Sequence, residues 1–203
     1  PTLVQHALRA LGHVPVNRVQ GFVSRLNSWA GNQLGEFDGH LYSLKYSGRL
    51  DQHIDQSIFF FGAYAHAELD FLRLCALALR QSRSSLTFVD IGANVGQHSL
   101  FMSSYVDRVV AFEPNTDCHA QSKHNMAQNG INNIGICQMA LGDSDGAGRL
   151  GSGLDGNSGS RSLVWTTDIS KNTRVEIVCA DKAVTALNIE RLDIIKLDVE
   201  GYE

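Results

Sequence analysis

Phe88-Val89-Asp90-Ile91-Gly92-Ala93-Asn94-Val95-Gly96-Gln97-His98 decides the fold of this chain. An apolar run ends in a carboxylate, turns through two glycines and enters a segment that reads as a helix. A second apolar run ends in Glu113, 21 residues after Gly92. Strand, glycine turn, helix and a second strand closed by an acid outline a nucleotide-cofactor site. The acid can hold two ribose hydroxyls, and the glycines let backbone approach the ligand. The dinucleotide fingerprint would place glycine at position 94. Asn94 stands there, so the pattern is G-x-x-x-G, which points away from a pyrophosphate ligand and toward S-adenosylmethionine.

Outward from that stretch, strands and helices alternate. Leu86–Ile91 reads as a short strand, followed by a helix from about Gly96 to Tyr105. Arg108–Glu113 is the second strand. Thr116 is a fair N-cap for the next helix, and Gly130 suits its C′ position. Ile134–Met139 and Asp193–Asp198 are the third and fourth strands. Strands spaced by helices imply parallel crossovers and an α/β, doubly wound, Rossmann-like sheet. Seven glycines fall between Gly142 and Gly159, so residues 142–162 read as a surface loop. Arg174–Ala180 alternates and is expected to return as a strand.

Upstream, residues 1–80 read as a helical extension and lead-in to a domain over 81–203. Val19, Phe22, Val23, Leu26 and Trp29 make one apolar stripe. His40–Ser47 alternates loosely and is expected as a strand before a turn at Gly48. Leu69, Leu72, Ala76 and Leu79 share one face of a helix over 66–79, closed by Arg80.

Composition excludes several classes. A hydrophobic fraction of 43%, a charged fraction of 19% and a net charge of −4 over 203 residues fit one globular domain with an extension. There is no basic run to bind nucleic acid. The richest apolar stretch, Ile58–Leu79, carries His66, Glu68, Asp70 and Arg73, so no membrane span is expected. Cys75, Cys118, Cys137 and Cys179 form no C-x-x-C pair. Most of them read as buried, reduced thiols of a cytoplasmic protein, and no metal site is expected.

Four pieces occur in order: FVDIGANVGQHSLFMS at 88–103, VVAFEPN at 109–115, MALGDSDG at 139–146 and LDIIKLDVEGYE at 192–203. Together they resemble the FkbM-type family of S-adenosylmethionine-dependent methyltransferases, over roughly residues 40–203. The lead-in Ser57-Ile58-Phe59-Phe60-Phe61-Gly62, followed by Glu68, is similar too. The resemblance implies S-adenosylmethionine as cofactor, held by Asp90, Gly92, Asn94, Gly96, Glu113, Asn115, Ala140 and Asp143. Asp90 can accept from turn amides and from the cofactor's ammonium. Gly92 and Gly96 leave room for the methionine moiety, and the following helix offers free N–H groups to its carboxylate. Asn94 tolerates a left-handed turn and can donate from its side chain. Glu113, with Asn115 beside it, suits the ribose. Backbone near Ala140 suits adenine, and Asp143 suits either the adenine amine or an ordinary turn.

Lys196, Asp198 and Glu200 alternate with Ile195, Leu197 and Val199, so three charges share one face of the last strand. Lys196 is expected to pair with a carboxylate. Asp198 lies at the carboxyl end, where open α/β sheets bind ligands. Asp198, Glu200 and then His98 are the candidate bases for methyl transfer to a hydroxyl of a small-molecule or carbohydrate acceptor. The resemblance also implies further strands beyond Glu203, so the sequence is expected to lack part of the sheet. The fourth strand's outer edge, with Ile194, Ile195 and Leu197, would then be poorly covered. Three rival readings are a cofactor-binding but inactive fragment, a nicotinamide-dependent oxidoreductase, and a non-enzymatic partner-binding module. Asn94 and the K-L-D-V-E-G tail disfavour the second. Only the apolar N-terminal segments support the third.

Overall fold

The computed structural model describes residues 35–150, 163–165 and 174–199. The N-terminal apolar stripe and the tail residues Glu200 and Glu203 lie outside them. The first elements are β1 (Glu36–Leu41) and β2 (Leu44–Arg49), an antiparallel hairpin joined at Tyr42 and Ser43. The single strand expected over His40–Ser47 is therefore split by a turn. Gly48 lies within β2, and a Cβ there would come within 2.8 Å of the Asp55 carboxyl carbon. That glycine serves close packing, not chain reversal.

Two helices follow, α1 (His53–Phe61) and α2 (His66–Arg80). The expected stripe of α2 is present: Leu69, Leu72 and Ala76 are buried and Leu79 packs partly against them. Then come β3 (Thr87–Ile91), α3 (Gln97–Met102), β4 (Arg108–Phe112), α4 (Thr116–Gln128) and β5 (Ile134–Cys137). Helix α3 is shorter than expected. The N-cap of α4 is Asn115, not Thr116: the Asn115 side chain accepts from the amides of Asp117 (2.9 Å) and Cys118 (3.3 Å). Gly130 follows α4 with φ +63°, as a C′ glycine should.

The glycine-rich stretch is not all loop. It begins on the last residue of β6 (Ala140–Gly142) and contributes β7 (Gly146–Leu150), and these two join β8 (Leu163–Trp165) and β9 (Arg174–Cys179) in a four-stranded sheet of order β6-β9-β7-β8. Gly148 faces Val175 across the β7–β9 ladder, and Val175 and Ile177 are buried. Pairing with an apolar strand outweighs the poor strand preference of glycine. After α5 (Ala180–Ala186), β10 (Ile194–Leu197) completes the main sheet.

That main sheet is parallel, in the order β10-β3-β4-β5. Phe88, Val109, Ile134 and Ile194 point to one face and share a core with Leu69, Leu72 and Leu100, and with Phe37, Tyr46 and Phe59 of the lead-in. Val89, Val110 and Phe112 point to the other, against Ala183 and Ile189. Helices thus cover both faces and the sheet is doubly wound, Rossmann-like. Ile194 is buried, contrary to expectation, while Ile195 and Leu197 are each 50% exposed. Among the described residues no strand pairs with the outer edge of β10: residues 36–49 form their own hairpin, and 174–179 pair in the other sheet. Among the described residues no helix is long and apolar enough to cross a membrane.

Candidate functional site

The parallel strands deliver their carboxyl ends to one edge, and the site is built there. Asp90, one residue before the end of β3, is fully buried between the sheet and α3. Its Oδ2 accepts from the Ser99 hydroxyl at 2.7 Å. Its Oδ1 has no hydrogen-bond donor, although the Lys196 ammonium stands 3.4 Å away. Parallel register sets Lys196 directly opposite Asp90. Lys196 therefore pairs with a carboxylate, as expected. Its Nζ also donates to the Gly92 carbonyl at 3.0 Å and lies 3.6 Å from Asp198. Burial works against that charge, but Asp90 and Asp198 outweigh it and hold the Lys196 pKa above the usual lysine value.

The turn is tight for reasons internal to the protein. Gly92 has φ +77°, and a Cβ on it would lie 2.0 Å from the Asp198 carbonyl oxygen. Gly96 has the same φ, and a Cβ there would meet the Ser122 hydroxyl at 2.5 Å. Between them Asn94 is left-handed, φ +52°, as its residue type allows. Its side-chain oxygen accepts from the Val95 amide at 2.7 Å, so the side chain stabilises its own turn. The amides of Gly92 and Ala93 both donate to the Phe112 carbonyl.

Glu113 follows β4 and is 7% exposed. One oxygen accepts from the Asn94 amide and the other from the Asn115 amide, each at 2.7 Å. Burial raises its pKa, and these two amides only partly oppose the shift. Asn115 is buried, with its side-chain oxygen committed to capping α4.

His98, in the first turn of α3, is buried, and its Nε2 has no hydrogen-bond partner. Glu68 of α2 approaches that nitrogen at 3.4 Å. Burial lowers the His98 pKa despite the pull of Asp90, so the ring is neutral near pH 7 and the approach to Glu68 is not an ion pair. Asp198 lies just past β10 with 63% of its side chain exposed. Its amide donates to the Ile91 carbonyl at 3.1 Å.

Asp90, Gly92, Asn94, Glu113, His98, Lys196 and Asp198 are thus brought together. Ala140 begins β6, three residues past Cys137, whose carbonyl accepts the Glu113 amide. Asp143 is exposed in the β6–β7 turn and takes the Ser144 hydroxyl at 2.9 Å. Sequence reading missed Ser99 and Ser122. It also missed Gln97, whose side chain makes two bonds to the Tyr64 backbone, 2.7 and 2.9 Å, tying the α1–α2 loop to the glycine turn. A polar residue directly after the second glycine was the one signal for Gln97. Of the four free cysteines only Cys118 is buried, fewer than expected.

A parallel sheet in this order, with a glycine turn after its first strand and an acid after the second, defines a Rossmann-like fold of the methyltransferase kind. A family model for the methyltransferase FkbM domain matches residues 90–203, and the chain belongs to that family of S-adenosylmethionine-dependent methyltransferases. No curated protein matches it. Among solved structures it is similar to TYW2 of M. jannaschii in complex with AdoMet, at 16% identity and TM-score 0.40, over 55% of this chain and 48% of that one. It is also similar to the SAM dependent methyltransferase of Agrobacterium tumefaciens, at 14% identity and TM-score 0.39, over 52% and 33%. A third is an rRNA methylase of Streptococcus thermophilus, at 19% identity and TM-score 0.32, over 37% and 42%. The matched region spans between a third and a half of each of these chains.

Proposed function

We propose that this protein transfers a methyl group from S-adenosylmethionine to a hydroxyl of a sugar or secondary metabolite in the cytoplasm. The observation that carries the reading is the charge of the site. Two carboxylates, Asp90 and Asp198, flank one ammonium, Lys196, a third, Glu113, is bonded to the Asn94 amide of the same turn, and His98 beside them is neutral. That excess of negative charge suits a ligand bearing a sulfonium and an ammonium. It opposes the pyrophosphate of a nicotinamide dinucleotide, which such sites meet with glycine amides and a helix N-terminus. The buried Oδ1 of Asp90 is an acceptor waiting for a donor.

When bound, the cofactor supplies an electrophilic methyl group on a positively charged sulfur. The chain's own residues do the rest. Asp90 would take the amino end, Glu113 the ribose hydroxyls, and backbone near Ala140 the adenine, with Asp143 beyond it. Asp198 is exposed enough to reach an acceptor hydroxyl and take its proton as the methyl is transferred. Glu200, outside the described residues, and His98 are the other candidate bases. Four free cysteines suit a reducing compartment.

Calorimetric titration with S-adenosylhomocysteine and NADH side by side tests the cofactor. Binding of the first and not the second is expected, and the reverse overturns the reading. Transfer of labelled methyl to a panel of hydroxylated acceptors then identifies the substrate.

A further inference from the structure

We propose that Lys196 is the positioning residue that ties the acceptor side of this site to its cofactor side, a reading that rests on the methyltransferase function proposed above. One ammonium touches three structures at once. It donates to the carbonyl of Gly92, the first residue of the glycine turn, at 3.0 Å. It stands 3.4 Å from Asp90 at the end of β3 and 3.6 Å from Asp198 beyond β10. The first two contacts fix the turn against which the cofactor lies. The third holds the candidate base.

The arrangement is built, not incidental. Lys196 is 8% exposed and lies opposite Asp90 in the ladder, so the strand register itself delivers the ammonium. The backbones it bridges are already in contact. The Asp198 amide donates to Ile91, and the Asp198 carbonyl fills the space where a side chain on residue 92 would stand. Turn and post-strand segment are therefore packed directly together, and the ammonium bridges them. Ser99 serves the other oxygen of Asp90, and among the described residues Lys196 is the cation beside Oδ1. A buried carboxylate of this kind needs such a partner. Asp198 keeps most of its surface free for an acceptor while its base is held at a set distance from the turn. Ordering the glycine turn around a cofactor would then order the proton acceptor too.

The single variant Lys196→Met leaves a buried carboxylate without a cation and can fail to fold, so the test runs in an Asp90→Asn background. Replacing both members of a buried pair removes that penalty. Full chains carrying Asp90→Asn, and Asp90→Asn with Lys196→Met, are compared in two ways. One is calorimetric affinity for S-adenosylhomocysteine. The other is hydrogen exchange of the Gly92, Ala93 and Asp198 amides without ligand. Loss of the clamp should weaken binding by about tenfold or more, the worth of one charge-assisted hydrogen bond, and speed exchange at all three amides by a similar factor. Equal affinity and equal exchange in the two chains would show that Lys196 only neutralises Asp90, and the proposal fails. If the unsubstituted chain binds no S-adenosylhomocysteine, it is the methyltransferase reading that fails. In that case, and equally if the Asp90→Asn chain binds none because Asp90 itself takes the cofactor's amine, the exchange comparison decides the clamp.

Discussion

Glu113 accepts one backbone amide on each oxygen and still has a free lone pair on both. The proposed ribose diol would fill that remainder. Glu113→Ala should weaken S-adenosylhomocysteine binding by about 1–3 kcal/mol, the cost of leaving buried polar partners unpaired. Unchanged affinity in calorimetry would remove the ribose assignment. The pH dependence has a definite sign. Burial raises the Glu113 pKa, so the carboxylate is charged only above that raised value. Affinity should be full above it and fall as pH drops through it, beginning at a higher pH than an ordinary glutamate of about 4.3 would give. The ligand-free fold behaves oppositely: protonation of Glu113 stabilises it, and that contribution is lost as pH rises. A second prediction concerns Asp198, whose exposed side chain lies at the acceptor side. Asp198→Asn should lower kcat while leaving the cofactor dissociation constant nearly unchanged. Steady-state rates equal to those of the unsubstituted enzyme would place the base elsewhere. The positions of Asp90, Asn94 and Glu113 were readable because a strand end and a glycine turn constrain residue type strongly. The competing duties of Asn94 and Asn115, as turn and cap, were not. A side chain that can serve the backbone or a ligand looks the same in sequence.

At the scale of elements, one buried polar knot joins the hairpin, α1 and α4. The Tyr46 hydroxyl donates to Asp55 at 2.6 Å, the Arg49 amide donates to its other oxygen at 2.7 Å, and the Gln121 side chain reaches both oxygens. Asp55 is fully buried, and burial raises its pKa although Tyr46, Arg49 and Gln121 all pull the other way. Tyr46→Phe keeps the ring packing against Phe37 and removes the hydroxyl. It should cost about 1–2 kcal/mol, read as a lower urea midpoint with an unchanged slope. An unaltered midpoint would show that Gln121 and the Arg49 amide suffice without the hydroxyl. The knot joins residues up to 75 positions apart, and no periodicity announces such a contact. For the same reason the hairpin went unread. Its turn falls at Tyr42, left-handed with φ +53° and with no glycine to mark it, while the conspicuous Gly48 serves packing. Helix α2 was legible because its apolar spacing follows the helical repeat. Strand β7 was not, because its glycines signal a loop and only the pairing with β9 and β8 makes it a strand.

At the scale of the molecule, strand order follows from crossover logic. Parallel strands joined by helices, with the last returning beside the first, place β10 next to β3, and the ladder is there. In the second four-stranded sheet only β9 was legible, from its alternation; β6 and β7 are short and carry glycine, and β8 spans three residues. The consequence of the order is an open edge. Among the described residues β10 pairs only with β3, and its other side offers unpaired backbone groups flanked by Ile195 and Leu197, each 50% exposed. Ile194 and Lys196 point inward, so the strand is anchored on one face and bare on the other. An edge with exposed branched apolar side chains is a template for pairing with another chain. The 203-residue chain should therefore self-associate with rising concentration, seen as a growing sedimentation coefficient. Ile195→Lys adds a charge at the edge without touching Asp90, Lys196 or Asp198. It should shift the chain toward monomer with little loss of stability, as edge lysines do elsewhere. A concentration-independent monomer in the unsubstituted chain would sink this prediction. So would equal association with and without the lysine, which would put the contact on another surface, with the exposed Phe71, Leu74 and Leu77 of α2 the next to test.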